Sequence, residues 1–191
     1  MRTSLVLTVI GDDRPGIVEQ LSDEILAVGA NWEESRMARL AGKFAGLLRV
    51  SVEADRADAL AARLTTLHRG SLTIVVERSG DSTATAARTI GLDLLGNDHP
   101  GIIRDIARVL AEQHVNIEEL ETDVTSAPMS GETLFRARAR LRIPSTVDLD
   151  SLRRQLEALA GELMVDVTLD DSEHTSPATG SGAVSDRVLK S

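Results

Sequence analysis

Gly11-Asp12-Asp13-Arg14-Pro15-Gly16-Ile17-Val18 recurs 85 residues further along the chain as Gly96-Asn97-Asp98-His99-Pro100-Gly101-Ile102-Ile103. At the same offset Leu21 meets Ile106, Ile25 meets Leu110, and Ala30-Asn31-Trp32-Glu33-Glu34 meets Val115-Asn116-Ile117-Glu118-Glu119. A single Pro-Gly pair carries little information. A shared loop followed by a shared apolar register and a shared Asn-apolar-Glu-Glu segment indicates an internal duplication.

Working outward from the repeated loop, each copy reads as the same series of elements. A β-branched run precedes each loop, Leu5 to Ile10 and about Thr89 to Leu95. Pro15 and Pro100 fall where the first turn of a helix tolerates a missing N–H, with Asp13 and Asp98 placed as N-cap residues. Ile17, Leu21, Ile25 and Val28 recur at helical spacing, as do Ile102, Ile106, Val109 and Leu110. Gly29 ends the first helix, and the second ends near His114. Extended hairpins follow: Trp32 to Leu40 and Phe44 to Glu53 around Ala41-Gly42-Lys43, then Ile117 to Val124 and Thr133 to Ile143 around a longer polar loop containing Pro128 and Gly131. A second helix (Arg56 to Leu67; Asp148 to Leu159), a glycine (Gly70; Gly161) and a last strand (Leu72 to Glu77; Met164 to Leu169) complete each copy. The order βαββαβ, written twice, predicts an α+β protein of two tandem ferredoxin-like units, each with both helices on one face of its sheet. The expected boundaries are 1–78 and 88–170, joined by a Gly/Ser/Thr/Ala linker at 79–87 and followed by a disordered polar tail at 171–191. Units this small bury modest cores, so lateral packing of the units or a homo-oligomer is expected.

Composition narrows the function. The 191 residues are 42% hydrophobic and 27% charged, as in globular proteins, but only 2% aromatic, leaving few platforms for stacking bases or sugars. There is no cysteine, which removes disulfides, thiolate metal sites and cysteine nucleophiles. The N-terminal run is too short for the apolar region of a signal peptide, and no stretch is apolar enough to span a bilayer. A cytoplasmic protein is expected. A net charge of −9 opposes direct nucleic-acid binding. The four histidines are scattered without triad partners or a second ligating group, and neither a phosphate-binding loop nor a dinucleotide fingerprint is present, so no enzymatic activity, metal or cofactor is expected.

Arg136, Arg138, Arg140 and Arg142 alternate with apolar residues and therefore share one face of a strand. Two readings follow: a basic stripe for an acidic partner or nucleic acid, or a cross-strand ion ladder with Glu119, Glu121 and Asp123. The acids on the neighbouring hairpin strand favour the ladder.

With its Asp-x-Pro-Gly loops and duplicated βαββαβ order, the chain resembles the ACT domain family over about residues 3 to 170. The tandem arrangement, the segment Asn31 to Ala38 and Phe44 are similar to the glycine-cleavage-system transcriptional repressor group in particular. The resemblance implies an amino-acid site at a domain or subunit interface. It would be built from Asp13, Arg14, Gly16, Ile17 and Asn31 in the first copy and from Asp98, His99, Gly101, Ile102 and Asn116 in the second. The loop acid and the Asn would hold the ammonium and side chain, and loop backbone groups the carboxylate. Such a division suits a zwitterion, which needs an oxygen acceptor at one end and helix N-terminal amides at the other. Asp13 and Asp98 read equally well as helix caps, and Asn31 and Asn116 as turn residues. The function implied is a regulator that senses an amino acid, glycine or serine among the options, and acts on glycine or one-carbon gene transcription through a protein partner such as a transcription factor. The alternative is an interaction module of the same fold that binds no ligand.

Overall fold

A computed structural model describes residues 1–68, 72–79, 87–126 and 133–170. The chain divides into two compact units, Met1–Thr83 and Ala84–Ser191. The first contains β1 (Arg2–Asp12), α1 (Ile17–Ala27), β2 (Asn31–Leu40), β3 (Lys43–Glu53), α2 (Ala57–His68) and β4 (Leu72–Arg78), with a 3-10 turn at Ala54–Arg56 leading into α2. The second contains β5 (Ala87–Asn97), α3 (Ile102–Glu112), β6 (Asn116–Ser126), β7 (Thr133–Pro144), α4 (Leu149–Leu163) and β8 (Val165–Asp170). Linker residues 80–86, Gly70, most of the longer hairpin loop and the tail from 171 onward lie outside the described residues. Among the described residues no helix is long and apolar enough to cross a membrane.

The strand orders are β2-β3-β1-β4 and β6-β7-β5-β8, and every neighbouring pair is antiparallel. Each helix therefore crosses over between strands that are not neighbours: α1 leaves β1 and delivers the chain to β2, with β3 lying between them. Strand alternation separates the two faces of each sheet. Leu5, Leu7 and Val9 of β1, with Leu48, Val50 and Val52 of β3, meet Ile17, Leu21 and Ile25 of α1 and Leu60 and Leu64 of α2 in one core. Ile90, Leu92 and Leu94, with Leu141 and Ile143, meet Ile102, Ile106 and Leu110 of α3 and Leu152 and Leu156 of α4 in the other. Both helices of each unit therefore cover the same, inner face. Each fully buried Leu or Ile is worth about 1.5–3 kcal/mol of transfer free energy, so the burial of aliphatic side chains replaces the missing aromatics.

Helix ends differ from the sequence expectation in two places. First, α1 and α3 begin at Ile17 and Ile102, after Gly16 (φ 89°) and Gly101 (φ 106°) in the left-handed region, and no side chain caps either helix. Asp13 and Asp98 are therefore not N-caps, and the prolines precede the helix rather than open it. Second, Gly161 lies inside α4 and does not end it. Met164, at φ 53°, supplies the left-handed terminus instead. Elsewhere the stops agree with expectation. Gly29 (φ 68°) and His114 (φ 57°) each end their helix with the paired bonds of a Schellman motif: Gly29 N–H to Leu26 O and Ala30 N–H to Ile25 O, then His114 N–H to Ala111 O and Val115 N–H to Leu110 O. Ala41 and Gly42, both at positive φ, form the two-residue turn joining β2 to β3.

Candidate functional site

Each repeated loop follows the end of a central strand. Asp13 N–H donates to Gly42 O at 3.0 Å and Asp98 N–H to Thr133 O at 2.9 Å, so both loops are held by the neighbouring hairpin. The left-handed glycines then turn the chain into the helix, and their carbonyls accept the first helical bonds, from Gln20 and Asp105. With no side-chain cap, the amides of the first turn of α1 and α3 are left for another acceptor. The contrast is α4, where the Asp148 carboxylate accepts from Asp150 N–H at 3.1 Å. Ile17 and Ile102 are buried in the cores, so what they can offer a ligand is backbone.

The two loops differ in side chains. Asp13 is ion-paired with Arg39 at 2.6 Å, Asp12 with Lys43, and Arg14 donates to Gln20 Oε1 at 2.9 Å. The Lys43 ammonium holds the Asp12 carboxyl below its usual range, chiefly through the hydrogen bond. In the second loop the Asp98 carboxylate has no hydrogen-bond or ion-pair partner among the described residues. His99 spans Pro100 O (Nδ1, 3.3 Å) and Leu163 O (Nε2, 3.2 Å), tying the loop to the C-terminal end of α4. Asp105, one turn into α3, is held by Arg104 and Arg108 at 3.0 and 3.4 Å, and the Arg104 hydrogen bond keeps its carboxyl low.

Asn31 and Asn116 do not join the loops of their own units. Asn31 is in register with Ser51, which is in register with Ser4 at the start of β1, whereas Asp12 at the other end of β1 faces Lys43. Eight residues of strand separate the two levels, about 26 Å. The second copy repeats this, Asn116 facing Arg142 and Arg142 facing Thr89.

A repeated side-chain group was not anticipated from sequence. The Asn-apolar-Glu-Glu segments sit on matching β-bulges, at Trp32/Glu34 and Ile117/Glu119. In each, one arginine of the next strand engages both carboxylates: Arg49 reaches Glu33 and Glu34 at 3.3 and 3.5 Å, and Arg140 reaches Glu118 and Glu119 at 3.4 and 2.6 Å. The signal was the repeated Glu pair; the arginine's role depends on hairpin register. Arg136 and Arg138 share Asp93 of β5, at 3.7 and 3.5 Å, so the arginine face is an ion ladder with acids on both sides of it, but of the expected partners Glu119, Glu121 and Asp123 only Glu119 is ion-paired to it among the described residues. A depression of about 290 Å³ opens over Gly91, between Arg138, Arg140, Asp93 and Glu119.

The ACT domain family profile matches residues 3–77 and again residues 85–166. The glycine cleavage system transcriptional repressor of Escherichia coli strain K12 is 24% identical over 163 residues, covering 83% of this chain and 85% of the repressor, and that of Shigella flexneri matches equally. A crystal structure of an unknown protein from Galdieria sulphuraria is 33% identical and superposes with a TM-score of 0.81, over 90% of this chain and 99% of that one. A crystal structure assigned to a glycine cleavage system transcriptional repressor shares the fold, at 21% identity and a TM-score of 0.67 over 89% and 97% of the two chains. The chain belongs to the ACT domain family and carries two ACT domains in tandem.

Proposed function

We propose that the protein is a non-enzymatic cytoplasmic regulator that binds a small amino acid at its Pro-Gly loops and passes the signal to a protein partner controlling transcription of glycine or one-carbon genes. The observation that carries this reading is the pair of uncapped helix N-termini behind Gly16 and Gly101, the second following a loop in which the Asp98 carboxylate has no hydrogen-bond or ion-pair partner among the described residues. Amides for a carboxylate and an acid for an ammonium are what a zwitterion requires. Because the loop acid and the strand-start Asn of one unit lie at opposite ends of its sheet, a ligand touching both groups has to sit where two ACT units meet, the loop end of one against the strand-start end of another. That requirement supports a homo-oligomer. Relatedness to the glycine cleavage repressors supports the transcriptional role, and the −9 net charge favours a protein intermediary over direct DNA contact.

The loops are unequal, and the second is the better site. Asp13 must leave Arg39 before it can serve an ammonium, whereas no described residue holds the Asp98 carboxylate. The test is calorimetric titration and thermal shift with glycine, serine and the other standard amino acids. Asp98→Ala and Asn116→Ala are expected to raise the dissociation constant at least about tenfold, the loss of one charge-assisted hydrogen bond. Asp13→Ala is expected to change it less, and Arg39→Ala to strengthen the first site. If no amino acid at millimolar concentration stabilises the wild type, the sensing reading fails and the ligand-free interaction module replaces it.

A further inference from the structure

Both sheets carry a depression at the same place on the face turned away from the helices, and the two differ in chemistry. In the first unit it holds about 210 Å³ and is walled by Val6, Leu47 and Arg36 among others. In the second it holds about 290 Å³, and the equivalent positions are Gly91, Arg138 and Glu121. Nothing in the fold asks for a glycine at residue 91. A Cβ added there would meet only Asp170, at an ordinary 3.8 Å, whereas at Gly46 and Gly96 it would come within 2.5 Å of Met37 and Val165. Those two glycines are required by close packing; Gly91 instead weakens an interior strand and opens its surface. Arg138 reaches Asp93 at 3.5 Å and makes no hydrogen bond among the described residues. Glu121, opposite Arg138 in register, has neither a hydrogen-bond nor an ion-pair partner among them. Arg140, by contrast, is held by Glu118 and Glu119.

We propose that the depression over Gly91 binds a free amino acid, with its carboxylate on the Arg138 guanidinium and its ammonium on the Glu121 carboxylate. Gly91 precedes Gly96 by about 17 Å of strand, so this site is separate from the Pro-Gly loop. Residues directly opposed on neighbouring strands have Cβ atoms about 5 Å apart, which lets the two ends of one α-amino acid reach both charges. A guanidinium takes a carboxylate through two parallel N–H donors, and the absence of a side chain at residue 91 leaves a floor that the ligand can approach closely. Acids outnumber arginines in the lining, Asp93, Glu119 and Glu121 against Arg138 and Arg140, and Glu118 and Asp170 stand beside them. The preferred ligand therefore carries net positive charge: a basic amino acid ahead of a neutral one, and an acidic one last. Both charged anchors are exposed, so binding is weak, with dissociation constants of about 1 mM or above. The first unit offers no such pair, since Leu47 and Arg36 stand where Arg138 and Glu121 stand in the second.

The test is an amide NMR titration of the full chain with L-lysine, L-alanine, L-glutamate and the diamine cadaverine, each to about 20 mM, well above the expected dissociation constant. L-lysine should shift the amides of Gly91, Glu121 and Arg138. L-alanine should bind less tightly, and L-glutamate at least about tenfold more weakly than L-lysine. Cadaverine, which is lysine without its carboxylate, should also bind more weakly than L-lysine. Gly91→Val, which installs the residue the first unit carries, and Arg138→Gln should each raise the L-lysine dissociation constant at least about tenfold. Leu47→Gln, at the matching place in the first unit, should leave it unchanged. Circular dichroism checks that each variant folds, and if either second-unit variant does not, Glu121→Gln at the exposed edge strand should weaken L-lysine in the same way. Silence at these amides, L-lysine binding undiminished in Gly91→Val, or L-glutamate or cadaverine binding as tightly as L-lysine would overturn the assignment. Shifts confined to the Pro-Gly loops would overturn it too while leaving the loop reading in place, and shifts confined to the sheet would support it against that reading.

Discussion

On the inner face of the two sheets, Leu5, Leu7 and Val9 of β1 stand where Ile90, Leu92 and Leu94 stand in β5, and the helix positions Ile17, Leu21 and Ile25 correspond to Ile102, Ile106 and Leu110. On the outer face the correspondence disappears. Val6 is replaced by Gly91, Thr8 by Asp93, Leu47 by Arg138 and Val75 by Thr168. Because alternate residues of a strand face opposite ways, a sheet covered on one side lets selection on the core and selection on the surface act on separate residues. Duplication thus produced two units with one folding rule and two surface chemistries, one with an apolar centre, the other charged and laddered. The bulges with their Glu–Arg clamps are the part of the outer face that both units kept.

The largest effects should fall where the units agree. Leu7→Ala and Leu92→Ala remove equivalent, fully buried side chains, and each should destabilise its unit by about 2–5 kcal/mol, measured by urea denaturation. Thr8→Ala and Asp93→Ala, one residue further along on the outer face, should each cost less than about 1 kcal/mol, Asp93 included, because its ion pairs are half exposed. If the outer substitutions proved as costly as the inner ones, the division of labour between the faces would be wrong.

A smaller effect separates the helix stops. Gly29 adopts φ 68° at no steric cost, whereas His114 holds φ 57° with a side chain attached. His114→Gly should therefore stabilise the second unit by up to about 1 kcal/mol, and Gly29→Ala should destabilise the first by a similar amount. Melting temperatures moving in the same direction for both variants would show that the two stops are not equivalent.

Much of this was legible in the sequence, and the failures have identifiable causes. Apolar spacing located every strand and helix because the inner face is strictly patterned: Ile17, Leu21 and Ile25 can share a side only on a helix. The Arg136 to Arg142 alternation announced a ladder for the same reason. Its main partner, Asp93, was missed because β5 adjoins β7 only through the strand order of the folded sheet, which local patterning does not contain. The helix starts were misplaced because Asp-x-Pro-Gly reads locally as cap and first turn, while the left-handed glycine postpones the helix to Ile17. Gly161 was placed after the helix, whereas α4 runs through it to Leu163, because a single glycine costs a 15-residue packed helix only about 1 kcal/mol. At the candidate site, the sequence brought the loop acid and the Asn together by analogy, and the register places them at opposite ends of each sheet.

The smallest effect distinguishes the loops by their acids. Asp12 corresponds to Asn97, and Asp105 to Gln20, so each loop has one carboxylate where the other has an amide. Lys43 depresses the Asp12 carboxyl and Arg104 the Asp105 carboxyl, in each case mainly by a hydrogen bond to the charged form. A carboxyl lowered in the folded state favours folding at pH values above its unfolded pKa of about 3.9, and that contribution is lost as pH falls through the folded value. Asp12→Asn should therefore lower the melting temperature of the first unit slightly at neutral pH and leave it unchanged in strong acid, with Asp105→Gln doing the same to the second unit. The Asp12 carboxylate is open to solvent and screened, so its shift should shrink further at high salt, whereas the Asp105 side chain is 13% exposed and should be screened less. Carboxyl-carbon NMR titration reads the two groups directly, and each should titrate below the ordinary aspartate value of about 3.9. Titration of Asp12 at the ordinary value would mean that the Lys43 contact does not persist in solution, and the first loop would then lose one of the two ion pairs that set it apart from the second.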